Sequence, residues 1–355
     1  MELFQFTRFA DGILKKNRTS VGIDPGSSGS IRIVVLSGSA AKPVLEYCGP
    51  GLLDPSAPTS TTKKDSPKRL TPLSAMLQSG KYSNHCIVVC VPSASIVSNQ
   101  LEVEKGLSEE ELALIVDAEV QRIMPDANEE LSVDYSIIEE GLSTATHDTQ
   151  ALDLIEICLC RRSIVDDVVR KVKKCGFVAD IVDVDIYALR RMFESSRRSD
   201  SDITNKTHAV VECGESVAYL LVWYENEFVY GREMVLHGSI SAGISEAGSG
   251  ISIHTSEQYI RHLLQELGRS VRLFFSSGIH RKIDKIWLSG KYAGTPGLGK
   301  NIGDQFNIPT SSLNPFDSME MEMEMEMGEG RDKTRTPSDP FTYCVATGLA
   351  LRGLR

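Results

Sequence analysis

The sequence predicts an α/β protein built as two similar lobes that face each other across a cleft. Short apolar strands alternate with amphipathic helices from end to end, the pattern of a mixed α/β chain. A second observation is more specific. In VGIDPGSSGSIRIVVLSG a strand breaks at Asp24, passes through Pro25 and Gly26, and resumes as a strand. The arrangement returns at Glu212-Cys213-Gly214, each time with a third strand paired behind. One such turn reads as an ordinary hairpin, because glycine and serine supply positive φ. Two copies, each opening one half of the chain, predict a repeated lobe. Small residues at facing turns let backbone N–H groups approach phosphate oxygens, while the acid holds a metal ion or water.

Bulk properties narrow the class. The chain has 355 residues, 41% of them hydrophobic, enough for one large or two medium cores. No apolar run reaches the ~18–20 residues that span a bilayer. MELFQFTRFADGILKKNR lacks the apolar region and cleavage site of a signal peptide, so a cytosolic protein is expected. Leu3, Phe6, Phe9 and Ile13, with Lys15 and Lys16 beyond, read as an interfacial helix, a helix packed on the first lobe or a frayed end. Most of the eight cysteines lie in apolar runs and read as buried thiols; Cys86/Cys90 and Cys158/Cys160 lack the spacing of a zinc site. A formal charge of −10 argues against a general nucleic-acid binder. His237, His254, His262 and His280 show no metal or nucleophile–base spacing, and Ser27 and Ser28 lack the frame of a nucleophile elbow.

After the opening turn, strands are predicted at 31–36 and 44–47, then a loop over 49–80 ending in a short helix near 73–77, then strands at 85–91 and 96–103. Ser108 and Glu111 form a capping box with Glu109 and Glu110 at the positive dipole end. That helix turns Leu112, Ile115, Val116, Val120 and Ile123 inward, and Pro125 stops it. Strands at 133–138 and 152–160, a helix capped by Ser163 and closed by Lys173, Lys174 and Gly176, a strand at 181–184 and a helix at 186–193 follow. The second half restarts with strands at 209–212, 217–224 and 228–235. The Met-Glu alternation of 319–327 has strand period, but glutamate is a poor strand former in polar surroundings, so a solvated loop is expected.

In order and spacing these segments resemble the actin-like ATPase superfamily (actin, Hsp70, sugar kinases). More closely they resemble the PilM family of type IV pilus assembly, related to FtsA. GIDPGSS is similar to the first phosphate loop, and GLSEEELALIVDAEVQRIMP with VDYSII to the small inserted subdomain. CGFVADIVDVDIYALRR resembles the crossing into the second lobe, and VVECGES with GREMVLHGSISAGI the second phosphate loop and its hairpin. LGRSVRLFFSS with IDKIWLSGKYAGTPGL resembles the adenosine-side helix and turn, and LNPF with VATGLALRGL the C-terminal segment. The resemblance implies an actin-like (Hsp70/actin/FtsA) two-lobed α/β fold with duplicated RNase H-like subdomains and a small inserted α+β subdomain. It divides the chain into a first lobe (19–84), the insert (85–165), a return and crossing (166–206), a second lobe (207–340) and a C-terminal helix (341–355).

By the same resemblance, ATP is bound by Asp24, Gly26, Ser27, Ser28, Gly29, Ser30 and Arg32, by Gly214, Glu215 and Ser216, and by Ser289, Gly290 and Lys291 on the adenosine side. Asp24 holds Mg2+, directly or through water, and Glu212 is the catalytic acid. The chain departs from the family pattern in several places. The first phosphate loop is one residue long, Arg32 stands where lysine is usual, and Glu212 replaces an aspartate. The stretch 239–259 is short, and the adenosine-side turn has few glycines. A misplacement of ~1 Å can cost about a hundredfold in rate. Two lost charge-assisted hydrogen bonds cost ~4 kcal/mol, so weak ATP binding and at most weak hydrolysis are expected.

The implied function is a cytoplasmic scaffold, peripheral at the inner membrane, of a type IV pilus or DNA-uptake machine. It would hold the N-terminal cytoplasmic tail of PilN in a groove framed by Val88, Val103, Ser108 and Leu112. It would also meet other inner-membrane assembly proteins and the pilus motor ATPases, and a homodimer is allowed. Two rivals stand beside this reading: an active kinase or ATPase of the superfamily, and a nucleotide-free interaction protein resembling the cytoplasmic domains of type II secretion.

Overall fold

The structure, a computed structural model, describes residues 19–26, 31–51, 85–125, 129–142, 151–174, 177–197, 205–225, 227–236, 253–278, 282–321 and 337–354. β1 (Thr19–Asp24), β2 (Ile31–Ser39) and β3 (Lys42–Gly51) form an antiparallel meander. β4 (His85–Val91) pairs parallel to β1, and β8 (Ile181–Val184) parallel to β4. These five strands therefore run in the order β3-β2-β1-β4-β8. In the second sheet β9 (Thr207–Cys213), β10 (Val217–Tyr224) and β11 (Glu227–Val235) are antiparallel, and β12 (Lys285–Ser289) and β13 (Thr310–Ser312) continue in parallel. Its order, β11-β10-β9-β12-β13, repeats the first strand for strand. The repeated turn is thus the visible part of a repeated sheet.

Between the sheets lie α3 (Asp185–Arg197) and α6 (Cys344–Gly353). Leu189, Met192 and Phe193 of α3, with Ala346, Ala350 and Leu351 of α6, share one apolar cluster with Val34 and Leu36 of the first sheet and Val210, Leu221 and Trp223 of the second. The two helices cross closely because Gly348 has no Cβ, which would otherwise overlap the Ala188 carbonyl. Arg191 fixes the crossing, donating to Gly348 O at 2.8 Å and pairing with buried Asp183 at 2.9 Å. The outer face of the second sheet is covered by α4 (Ile253–Ser276) and α5 (Leu298–Phe306).

A third, smaller sheet has the order β5-β7-β6, from β5 (Ile96–Glu104), β6 (Leu131–Leu142) and β7 (Leu152–Arg161). α1 (Glu109–Ile123) covers one of its faces and opens with the expected capping box, Ser108 Oγ accepting from Glu111 N and the Glu111 carboxylate accepting from Ser108 N. Alternation along β7 divides its side chains. Ile155, Ile157 and Leu159 pack under α1 with Val103 and Val116, while Cys158 and Cys160 face the first-sheet core and α2 (Arg162–Lys174).

The structure corrects several sequence expectations. β4 belongs to the first sheet, so the small sheet begins at Ile96 rather than at residue 85. Ser163 lies inside the first turn of α2 rather than capping it, because Arg162 N is already satisfied by Glu130 O at 2.8 Å. The Met-Glu run opens as a strand, β14 (Glu320–Met321), parallel to β3 at the edge of the first sheet. The helix expected near 73–77 and the N-terminal segment lie outside the described residues. No helix among the described residues is long and apolar enough to cross a membrane.

Candidate functional site

The repeated turns meet at one cavity of about 330 Å³ between the two sheets. In the first turn Asp24 ends β1, and its Oδ1 accepts from Gly26 N at 2.9 Å, an Asx turn that Gly26 completes at φ +58°. The β1–β2 register sets Arg32 directly opposite Asp24, with Nη1 at 4.0 Å from Oδ2. In the second turn Glu212 lies opposite Tyr219, one residue before the end of β9. Gly214 is required there because a Cβ would overlap Val217 O, and Tyr259 of α4 donates to Gly214 O at 3.0 Å. Gly290 follows β12 at φ +89°, pressed so close that a Cβ would run into Glu212 Oε1. The Phe341 carbonyl, just before α6, accepts from Gly290 N at 3.1 Å.

Asp185, which the sequence reading missed, adds a third carboxylate. It opens α3 and accepts from Ser93 N at 2.9 Å and from its neighbour Ile186 N at 2.6 Å. An aspartate between a strand and a helix reads first as a helix cap, which hides any second role. Asp24, Asp185 and Glu212 all line the cavity, with Arg32 and Lys291 as its cations.

Burial raises all three carboxyls, and like charge adds to it at Asp185 and Glu212. Burial pushes Glu212 up to about 8, helped by Asp185 and Asp24 and opposed by Arg32. Burial raises Asp185 to about 6, against the hydrogen bonds from Ser93 and Ile186. Asp24 is also raised by burial, restrained by the Gly26 hydrogen bond and Arg32.

Of the residues picked from the sequence, Asp24, Gly26, Arg32, Glu212, Gly214, Glu215, Ser216, Ser289, Gly290 and Lys291 all line this cavity. Ser27, Ser28, Gly29 and Ser30 lie outside the described residues. The groove residues fare differently. Val88 is 0% exposed at the centre of the first sheet, and Val103 is 6% exposed beneath α1, so neither side chain frames a surface groove. Ser108 is exposed as a helix cap, and Leu112 packs its side chain toward the core under α1.

The donor set fits a cation that arrives with phosphate. Among the described residues no three acidic, histidine or cysteine groups converge closely enough to hold a metal ion alone. Mg2+ typically takes one or two carboxylates and fills its octahedron with water and phosphate oxygens. Three carboxyls held above their ordinary range would be relieved by such a cation, whereas a bare anion would meet repulsion.

The family model of the type IV pilus assembly protein PilM matches residues 22–244 and 246–354. The chain belongs to the PilM family. Among solved structures, one titled as a PilM–PilN type IV pilus biogenesis complex superposes with a TM-score of 0.64 at 17% identity, over 96% of this chain and 100% of that one. The PilM-family chain therefore has the actin-like, two-lobed fold. More distant is an activator of 2-hydroxyisocaproyl-CoA dehydratase from Clostridium difficile with bound ADPNP, at TM-score 0.40 and 10% identity over 95% and 94% of the two chains. The cytoplasmic domain of EpsL, an inner-membrane component of type II secretion in Vibrio cholerae, gives 0.35 at 9% identity over 87% and 90%.

Proposed function

We propose that this PilM-family protein is a nucleotide-responsive scaffold of pilus assembly, peripheral at the cytoplasmic face of the inner membrane. Its cleft takes Mg-ATP weakly, and its inserted sheet holds the N-terminal tail of PilN. The observation that carries the reading is the family match along the whole chain, joined to a cleft where both repeated turns present their acids. Bound Mg2+ would supply the charge that the phosphates and the three carboxyls both lack. Asp24 and Asp185 would hold it through water, Arg32 would meet phosphate, and the Gly214 turn would offer backbone N–H groups. Glu212 is the group placed to accept a proton from an attacking water, but its raised affinity for a proton slows that role at neutral pH.

The tail is placed along β5. Among the described residues this strand pairs only with β7, leaving a nine-residue edge on which an extended segment can add main-chain hydrogen bonds. Apolar anchors of the peptide would carry most of the affinity at about 1.5–3 kcal/mol each, so binding should depend only modestly on salt. Arg161 and Arg162 are already paired with Glu129 and Glu130 and are poorly placed to hold an acidic partner. Titration of the tail peptide at low and high salt tests this. A collapse by orders of magnitude at high salt would reject the apolar anchoring.

For the cleft, a thermal-shift series with Mg-ATP should show stabilisation only as ATP reaches the millimolar range. Glu212→Ala should abolish whatever ATP turnover exists, and Glu212→Asp should keep or raise it. Turnover by Glu212→Ala equal to the parent would remove the acid from the chemistry.

A further inference from the structure

The insert carries a charge that the rest of the chain does not. Residues 96–161 hold sixteen acidic and three basic side chains, while the whole chain is −10, so the remainder is slightly basic. On the outer stripe of α1, Glu110, Leu114 and Asp117 recur at helical spacing and point away from the small sheet. Leu114 is 71% exposed, and neither carboxylate has an ion-pair partner among the described residues. A leucine standing in water between two unpaired acids adds nothing to the core beneath it.

The complementary surface is on the second lobe. Residues 253–300 hold eight basic and three acidic side chains. Along α4, Arg261 and Arg272 fall three turns apart on one side, both exposed and without an ion-pair partner among the described residues. Phe275, 38% exposed, and Leu273, 46% exposed, close the same end of the helix. One face thus offers acid, leucine, acid; the other offers two arginines with Phe275 beside them.

We propose that α1 of one copy docks head-to-tail against the side of α4 that carries Arg261 and Arg272 on a second copy. The two faces differ, so the contact is heterologous: each copy uses α1 on one neighbour and offers α4 to the next. Overall charge repels the copies at a distance, while the opposed patches attract only within about a Debye length, ~8–10 Å. The contact should therefore form at high protein concentration and loosen as salt rises. A second copy is favoured as occupant because both halves of the match are on this chain. An anionic lipid surface would suit α4 alone and leave the acidic stripe with Leu114 unused.

The test uses the full chain in sedimentation velocity at rising concentration, in low and high salt, with two variants whose folding is checked by circular dichroism. One carries Glu110→Lys and Asp117→Lys; the other carries Arg261→Glu and Arg272→Glu. The parent should form salt-sensitive species larger than a dimer, and each variant alone should associate at least about tenfold more weakly. Mixed together, the variants regain both pairings, native acids with native arginines and reversed α1 with reversed α4, and should associate about as strongly as the parent. A parent that stays monomeric throughout, or a mixture no more associated than its parts, overturns the proposal. So does an arginine variant that loses binding to anionic-lipid vesicles while self-association is unchanged.

Discussion

The first and second turns are built on the same sheet, yet they treat their acids differently. Asp24 has a guanidinium across the strand and a backbone N–H on its carboxylate. Glu212 has neither among the described residues; it is confined by Gly290 and faces Asp185 and Asp24 as like charges. The fold duplicates the scaffold and leaves the electrostatics unequal. The first turn sets a guanidinium and a backbone N–H against the burial of its acid, while the second leaves its acid raised to about 8. Position in a repeat therefore says where an acid sits, and its neighbours say which protonation state it adopts.

The largest expected effect comes from Gly290→Ala, where a Cβ meets Glu212 Oε1 and the Cys213 backbone at a positive φ. Loss of about 3 kcal/mol or more, read by denaturant unfolding or as insoluble protein, is expected from overpacking together with backbone strain. The matching change at the first turn, Gly26→Ala, carries a φ cost and should lose about 1–2 kcal/mol. Equal losses would erase the distinction.

The pH dependence sharpens it further. Glu212 holds a proton in the folded chain up to about 8 but only to 4.5 when unfolded, so the unfolded state binds fewer protons between those values. Its stabilising contribution is complete below that window and is lost as pH rises through it, by up to about 1.4 kcal/mol per pH unit. Glu212→Gln should flatten this slope. Asp24→Asn should change it less, because Arg32 and Gly26 already favour the charged carboxylate. Urea unfolding of the three proteins across the window decides the point, and an unchanged slope in Glu212→Gln would refute it. The smallest effect is that of Tyr259→Phe, which removes one hydrogen bond to the second turn and should cost about 1 kcal/mol.

Much of this architecture was legible because it repeats. Acid-x-Gly between paired strands appears twice, and the strand orders behind the two turns are identical. The capping box at Ser108 was legible because its chemistry is local. Depth was harder to read. Val88 and Val103 look alike in sequence, yet one fills a central parallel strand buried on both faces and the other lies beneath a helix. Asp185 escaped notice because a cap and a cleft carboxylate have the same local signature. Tyr259 escaped because nothing near it in sequence announces that α4 reaches back to Gly214.

The place of β14 and α6 bears on how the chain acquires its shape. The first sheet takes its outer edge from Glu320–Met321, and Gly22 of β1 gives up its Cβ to Ala346 and Ala350 of α6. A core whose first described strand begins at Thr19 is thus finished only by Glu320–Met321 and by Cys344–Gly353. Contacts of such sequence separation slow the search for the native state. A nascent chain holding the first half has its strands but neither the strand that covers its rim nor the helix that fills its inner face. Chains cut before Cys344 should therefore fail to fold rather than yield a working first lobe, and the interval before Cys344–Gly353 emerges is when this protein most needs protection from aggregation.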